Sequence, residues 1–125
     1  MKIKVVKFNS LDSTNNKAIE MIKKNQTKPT LLVSKNQLKG KGTMGKKWIS
    51  QKGNLFISIY FQIEPEKINF KQFANLNALL IKKILSMSLI KDIKIKWPND
   101  LLIEKKKFCG ILQETICHKN NFFLI

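Results

Sequence analysis

Arginine is absent from this chain of 125 residues, although it carries 24 basic side chains against only 8 acidic ones. All 24 are lysines, and the formal net charge is +16. Such a charge invites a nucleic-acid reading. The missing arginine argues against it, because the planar guanidinium fork is the usual reader of bases and phosphates. The lysines are also scattered, and no face combines them with stacking aromatics, so no specific nucleic-acid partner is expected. Isoleucine, asparagine and lysine are abundant, as coding bias in an AT-rich genome would produce. A field of this sign still favours anionic ligands and partners.

Other shortages narrow the classes further. The only two cysteines, Cys109 and Cys117, fit no metal or redox spacing and read as buried or indifferent thiols. No run reaches the roughly 18 to 20 apolar residues of a membrane span, so no membrane partner is expected. The start, "MKIKVVKFNSLDS", has no apolar core of a secretory signal, which makes the cytoplasm the expected location. The length allows one modest domain with a real core.

Glycine is scarce too, at five residues. Three of them, Gly40, Gly42 and Gly45, fall within "QLKGKGTMGKKW". Their spacing is that of a dinucleotide-binding fingerprint, which needs a preceding strand and a following helix. "TLLVSKNQ" supplies a strand before it. The stretch on the other side, "KKWISQKGNLFISIYF", opens no helix. The loop is therefore expected to serve a strand-to-strand setting.

The remaining elements are read from periodicity and punctuation. "KIKVVKF" reads as a first strand. "LDSTNNKAIEMIKK" reads as a helix capped among Asp12, Ser13 and Thr14, with Ala18, Ile19 and Ile22 at helical spacing. "TLLVSKN" and the apolar "NLFISIYF" read as strands, the latter central. "NFKQFANLNALLIKKILSMSL" predicts the longest helix, with Phe73, Leu76, Leu80, Ile84 and Leu85 on one side. "IKIKW" and "DLLIE" flank a tight "PND" turn. "KKFCGILQETI" reads as one further strand, and "KN" before the apolar "NNFFLI" predicts a hairpin. Runs of strands with two main helices argue an α+β fold with a mixed or antiparallel central sheet. The chain stops inside an apolar strand, which points to a fragment.

Four stretches carry chemistry beyond their plain structural readings. "STNNKA" is a helix cap that also clusters two hydroxyls and an amide. The glycine loop interleaves Lys39, Lys41, Lys46 and Lys47 with accessible backbone amides, which suits a phosphate or carboxylate. "KWPND" sets Lys96, Asn99 and Asp100 around a proline-fixed turn. "KKFCGILQE" puts Gly110 inside a strand, where glycine marks a bulge or a close approach.

Taken in order, these stretches closely resemble the catalytic domain of biotin protein ligases, also called biotin–acetyl-CoA-carboxylase ligases. The matches are "STN" at Ser13 to Asn15, "QLKGKGTMGKKW" at Gln37 to Trp48, "GNL" at Gly53 to Leu55, "KWPND" at Lys96 to Asp100 and "KFCGILQE" at Lys107 to Glu114. The resemblance implies a class II synthetase-like catalytic core. It implies synthesis of biotinyl-5′-AMP from biotin and ATP, with Mg²⁺, and transfer of biotin to a lysine of a carboxyl carrier protein. It places Ser13, Thr14, Asn15, Gln37, Lys41, Gly42, Thr43, Lys107, Gly110 and Leu112 against biotin. It places Gly40, Gly45, Trp48, Lys96, Asn99 and Asp100 on the adenylate side, with Asp100 a candidate Mg²⁺ contact. Lys41 and Lys107 take the catalytic positions, gripping the biotin carboxylate and the α-phosphate.

The chain departs from the family pattern at two loop positions. The usual first arginine of the loop is Lys41, so a fork becomes a point charge. A second position that is commonly basic is Thr43. The resemblance makes residues 1–125 a partial catalytic domain, without the N-terminal helix-turn-helix of some members or the C-terminal small barrel. Repressor activity is accordingly not expected. It leaves open a homodimer, a related lipoate-type ligase and a truncated, non-catalytic remnant.

Overall fold

The computed structural model describes residues 2–89 and 91–125. In chain order the elements are β1 (Lys4–Leu11), α1 (Thr14–Lys23), β2 (Thr30–Gln37), β3 (Gly40–Lys41), β4 (Lys47–Trp48), β5 (Phe56–Ile63), α2 (Phe70–Ser86), β6 (Lys94–Lys96), β7 (Asp100–Ile103), β8 (Lys106–Gly110), β9 (Thr115–His118) and β10 (Asn121–Leu124). They fall into two compact units. One runs to Glu64 and resumes at Glu114–Ile125; the other is Pro65–Gln113.

The first unit is a mixed five-stranded sheet in the order β1-β2-β5-β10-β9. β1 and β2 are parallel, with α1 as their crossover, and the other neighbours are antiparallel. Ser13 starts α1: its backbone is extended and its hydroxyl accepts the Asn16 N–H, which satisfies one orphan donor of the first turn. The helical spacing read from the sequence buries Ala18 and Ile22 completely. They pack with Met21, Leu32, Tyr60, Phe123 and Ile125 in one core. β5 is the middle strand, as its apolar run predicts. Phe56, Ser58 and Tyr60 are buried, whereas the alternate residues Ile57 and Ile59 are exposed, the two-residue period of a strand. The fully buried Tyr60 donates its hydroxyl to the Gln26 carbonyl at 2.8 Å. The expected hairpin joins β9 to β10: Lys119 and Asn120 have φ of 50° and 63°, the signature of a two-residue type I′ turn.

In the second unit, α2 lies with an antiparallel sheet in the order β6-β7-β8. Asn69 caps α2, its side-chain oxygen accepting the N–H groups of Lys71 and Gln72. The stripe expected on this helix is only partly covered. Phe73 and Leu85 are half-buried, Leu76, Leu80 and Ile84 are exposed, and the fully buried position is Ala78. No helix among the described residues is long and apolar enough to cross a membrane.

One strand expected from the sequence divides. "KKFCGILQETI" becomes β8 and β9, which belong to different sheets, with residues 111–114 in no regular element. The break arises from competing partners. Ile111 donates its N–H to the Asn99 carbonyl at 2.8 Å, whereas Glu114 exchanges both backbone hydrogen bonds with Ile125, at 2.9 and 3.1 Å. A continuous apolar run carries no local sign that its two halves pair elsewhere.

Candidate active site

In the first unit, the end of β1, the start of α1, the end of β2 and the glycine loop bring Ser13, Thr14, Asn15, Gln37, Gly40 and Lys41 into one region. Ser13, Thr14 and Asn15 are all buried, which is unusual for three consecutive polar residues at a helix start. Hydrogen bonds explain it. Gln37 Oε1 accepts from the Thr14 N–H at 2.9 Å and from its hydroxyl at 3.3 Å, and Gln37 Nε2 donates to Ser50 Oγ at 3.1 Å. The buried Ser58 hydroxyl bonds Thr14 Oγ1 at 2.7 Å and also Asn15 Oδ1. Asn15 Nδ2 donates to Glu114 Oε2 at 2.9 Å, and Lys41 Nζ meets Glu114 Oε1 at 3.0 Å. A continuous chain of polar contacts thus runs from Ser50 through Gln37, Thr14, Ser58 and Asn15 to Glu114 and Lys41. A buried polar group needs a partner, so such a network fixes each member's orientation.

The glycine loop is a small hairpin. Gly40 pairs with Trp48 and Lys41 with Lys47 across β3 and β4. A single 3-10 turn, Thr43–Gly45, closes it, so no α-helix comes after the glycines. Gly42 donates its N–H to the Lys46 carbonyl at 2.7 Å. Gly40 is glycine for a packing reason. A Cβ there would stand 2.6 Å from Ser50 Oγ, 2.8 Å from Gln37 Nε2 and 2.8 Å from the Trp48 carbonyl. Gly45, at φ +71°, occupies the left-handed region, while Thr43 is exposed on the turn. An open groove of about 420 Å³ between β1 and α1, lined by Phe8, Asp12, Lys17 and Glu20 among others, touches this region only at Ser13.

In the second unit, the β6–β7 turn and the β7–β8 hairpin gather Lys96, Asn99, Asp100, Lys107 and Gly110. Asp100 lies opposite Lys96 on one side and Gly110 on the other. Lys107 Nζ is 2.7 Å from Asp100 Oδ1, and the Asp100 side chain is only 16% exposed. The pairing slips by one residue between Leu101 and Leu102, which leaves Phe108 as the extra residue of a β-bulge beside Lys107. The bulge, which was the plain alternative to a close approach at Gly110, therefore sits two residues earlier. Asn99 Nδ2 donates to the Ile111 carbonyl at 3.1 Å while its own carbonyl accepts the Ile111 N–H. This reciprocal clamp holds the segment carrying Gly110 and the half-buried Leu112.

Three network members, Ser50, Ser58 and Glu114, lie outside the candidate set read from the sequence. Ser58 had a signal: it is a lone small polar residue at an inward position of a largely apolar strand. Glu114 closes the G-I-L-x-E motif. Ser50 had none.

Among the described residues, no three His, Cys, Asp or Glu side chains converge on a metal-binding position. Asp100 is a single carboxylate that already faces an ammonium, which does not make a resident metal site.

Cys109, across the ladder from Leu101, has its thiol pushed above the usual cysteine range by burial and by the Asp100 carboxylate. Its thiolate fraction at pH 8 is correspondingly reduced. Cys117 is exposed. Iodoacetamide at pH 8 should therefore modify Cys117 first and Cys109 several-fold more slowly, the gap narrowing as the pH rises. Peptide mass spectrometry reads this directly, and equal rates would contradict the placement of Cys109.

Residues 7–125 match the biotin/lipoate A/B protein ligase family, and the chain belongs to that family. The bifunctional ligase/repressor BirA of Bacillus subtilis is 34% identical over 105 residues, covering 83% of this chain and 32% of its own length. A biotin protein ligase from Aquifex aeolicus in complex with biotin and ATP superposes with a TM-score of 0.77 at 29% identity, over 97% of this chain and 50% of that one. The biotin acetyl coenzyme A carboxylase synthetase of Helicobacter pylori, solved with bound biotinylated ATP, gives 0.70 at 28% identity, over 98% of this chain and 59% of that one. The fold is that of a biotin protein ligase catalytic core. The chain spans about a third of the curated relative and about half of the first solved structure.

Proposed function

We propose that this protein is a biotin–protein ligase. A biotin carboxylate oxygen attacks the α-phosphorus of ATP, the bond to pyrophosphate breaks, and biotinyl-5′-AMP forms. The amine of a lysine on a carboxyl carrier protein then attacks the acyl carbon, loses a proton and releases AMP. Two anions meet in the first step, so cations placed beforehand lower its barrier. Lys41 and Lys107 are assigned that task. Lys96, Asn99, Asp100, Gly40, Gly45 and Trp48 are assigned to the adenylate, and Mg²⁺ arrives with ATP. Ser13, Thr14, Asn15, Gln37, Gly42, Thr43, Gly110 and Leu112 are assigned to biotin.

The observation that carries this reading is the buried hydroxyl–amide network around Thr14, Asn15 and Gln37. The ureido ring of biotin offers two N–H donors and one carbonyl acceptor, which such a network matches. The dithiolane of lipoate offers neither, and each hydrogen bond that it fails to add is worth about 0.5–1.5 kcal/mol. Calorimetric titration of the full-length protein should therefore show biotin binding at least about tenfold more tightly than lipoate. Equal or stronger binding of lipoate would move the protein to the lipoate-type ligases. Binding of neither would leave a non-catalytic remnant.

A further inference from the structure

Glu114 supplies the carboxylate in the polar chain of contacts of the first unit, and it touches two residues assigned above to the ligand. Its oxygens are divided between them, Oε1 to Lys41 Nζ at 3.0 Å and Oε2 to Asn15 Nδ2 at 2.9 Å. Its backbone is held by the reciprocal pair with Ile125, a core residue only 8% exposed, so the carboxylate projects from a fixed point. The two charged side chains are about one-third exposed. A pair at that depth adds little to stability. What it does well is orient.

Orientation matters here because the basic residue is a lysine. A guanidinium presents a rigid fork, whereas an ammonium rides on a four-carbon stem with many rotamers, whose freedom must be given up on binding. An ammonium has three N–H donors. One spent on Glu114 immobilises the stem and leaves two for an incoming anion. The same carboxylate draws the Asn15 nitrogen toward itself and so leaves Asn15 Oδ1 to Ser58.

We propose that Glu114 is a positioning residue: it holds the Lys41 ammonium in place to receive the carboxylate of the ligand, and it sets the orientation of the Asn15 amide. The inference rests on the biotin reading above. It assigns no covalent step to Glu114.

The test uses Glu114→Gln in the full chain, which keeps an acceptor for Asn15 but loses the ion pair. Biotin and its neutral carboxamide are titrated in parallel. Biotin affinity should fall about tenfold, the cost of ordering one long side chain on binding, while the carboxamide changes less than about twofold. Lys41→Ala should show the same selective loss, and adding Glu114→Gln to it should remove nothing more. Unchanged or tighter biotin binding would overturn the proposal, because Glu114 would then be idle or merely repel the anion. Equal losses for both ligands would overturn it as well, as a general effect on the fold. Should the wild-type chain bind neither ligand, the biotin reading itself falls, and the ligand-free protein still decides the positioning. Lys41 side-chain ¹³C relaxation should show ordered methylenes that loosen in Glu114→Gln, and equal mobility in the two proteins would overturn it.

Discussion

Replacing Lys107 by alanine should slow adenylate formation in the full-length protein by roughly 10² to 10³, the range for removing one preorganised donor from a developing oxyanion. The ammonium is needed most where carboxylate and phosphate charge are concentrated, so the chemical step should suffer more than biotin binding. Lys107 lies within a run of three lysines, Lys105 to Lys107, and its neighbours supply the control. Lys105 sits in the β7–β8 turn with φ 64° and is exposed. Lys107 is held at 2.7 Å from Asp100, next to the bulge at Phe108. Lys105→Ala should therefore release pyrophosphate at nearly the wild-type rate. Asp100 loses its ion-pair partner in Lys107→Ala, so a modest fall in melting temperature is expected too, and an unfolding curve separates it from the rate effect. Equal, near-normal rates for the two variants would remove Lys107 from the catalytic assignment.

A second large effect is expected on stability, from two adjacent phenylalanines of β10. Phe123 is fully buried in the core with Ala18, Ile22 and Tyr60, whereas Phe122 is 41% exposed. Phe123→Ala should cost about 3–5 kcal/mol, the lost transfer free energy plus the cavity left behind. Phe122→Ala should cost about 1 kcal/mol at most. The pair tests the register directly, because a one-residue slip of β10 would exchange the two faces. Urea unfolding of both variants measures it. Equal losses, or the reverse ranking, would contradict the pairing of Phe123 with Gln62 and of Phe122 with Ile63.

Much of this architecture was legible in the residues. The helix from Thr14 has its cap and apolar spacing in plain view, and the β5 run marks a central strand. The Lys119–Asn120 hairpin was readable because asparagine tolerates positive φ. The Glu104–Lys105 turn adopts the same conformation, at φ 51° and 64°, without glycine or asparagine, and nothing local announces it. The exposure of Leu76, Leu80 and Ile84 on α2 was equally hidden. Helical periodicity says which residues share a side, not what covers them. Among the candidate residues, the cap residues Ser13 and Thr14, Gln37, Asp100 and Lys107 are named by motif order, and the structure shows Thr14 bonded to Gln37 and Asp100 paired with Lys107. Of the partners that hold them, Ser58 and Glu114 carry a local signal, but what each one reaches is not written along the chain. Ser58, Ser50 and Glu114 come from distant strands and loops, and such contacts are set by tertiary packing rather than by spacing along the chain.

That this protein joins biotin to AMP is tested most directly by ATP–pyrophosphate exchange. Full-length protein is incubated with ATP and labelled pyrophosphate, and with biotin, lipoate or neither. Exchange should require biotin, and lipoate should barely support it. Exchange driven by lipoate as well as by biotin, or none with either acid, would contradict the assignment.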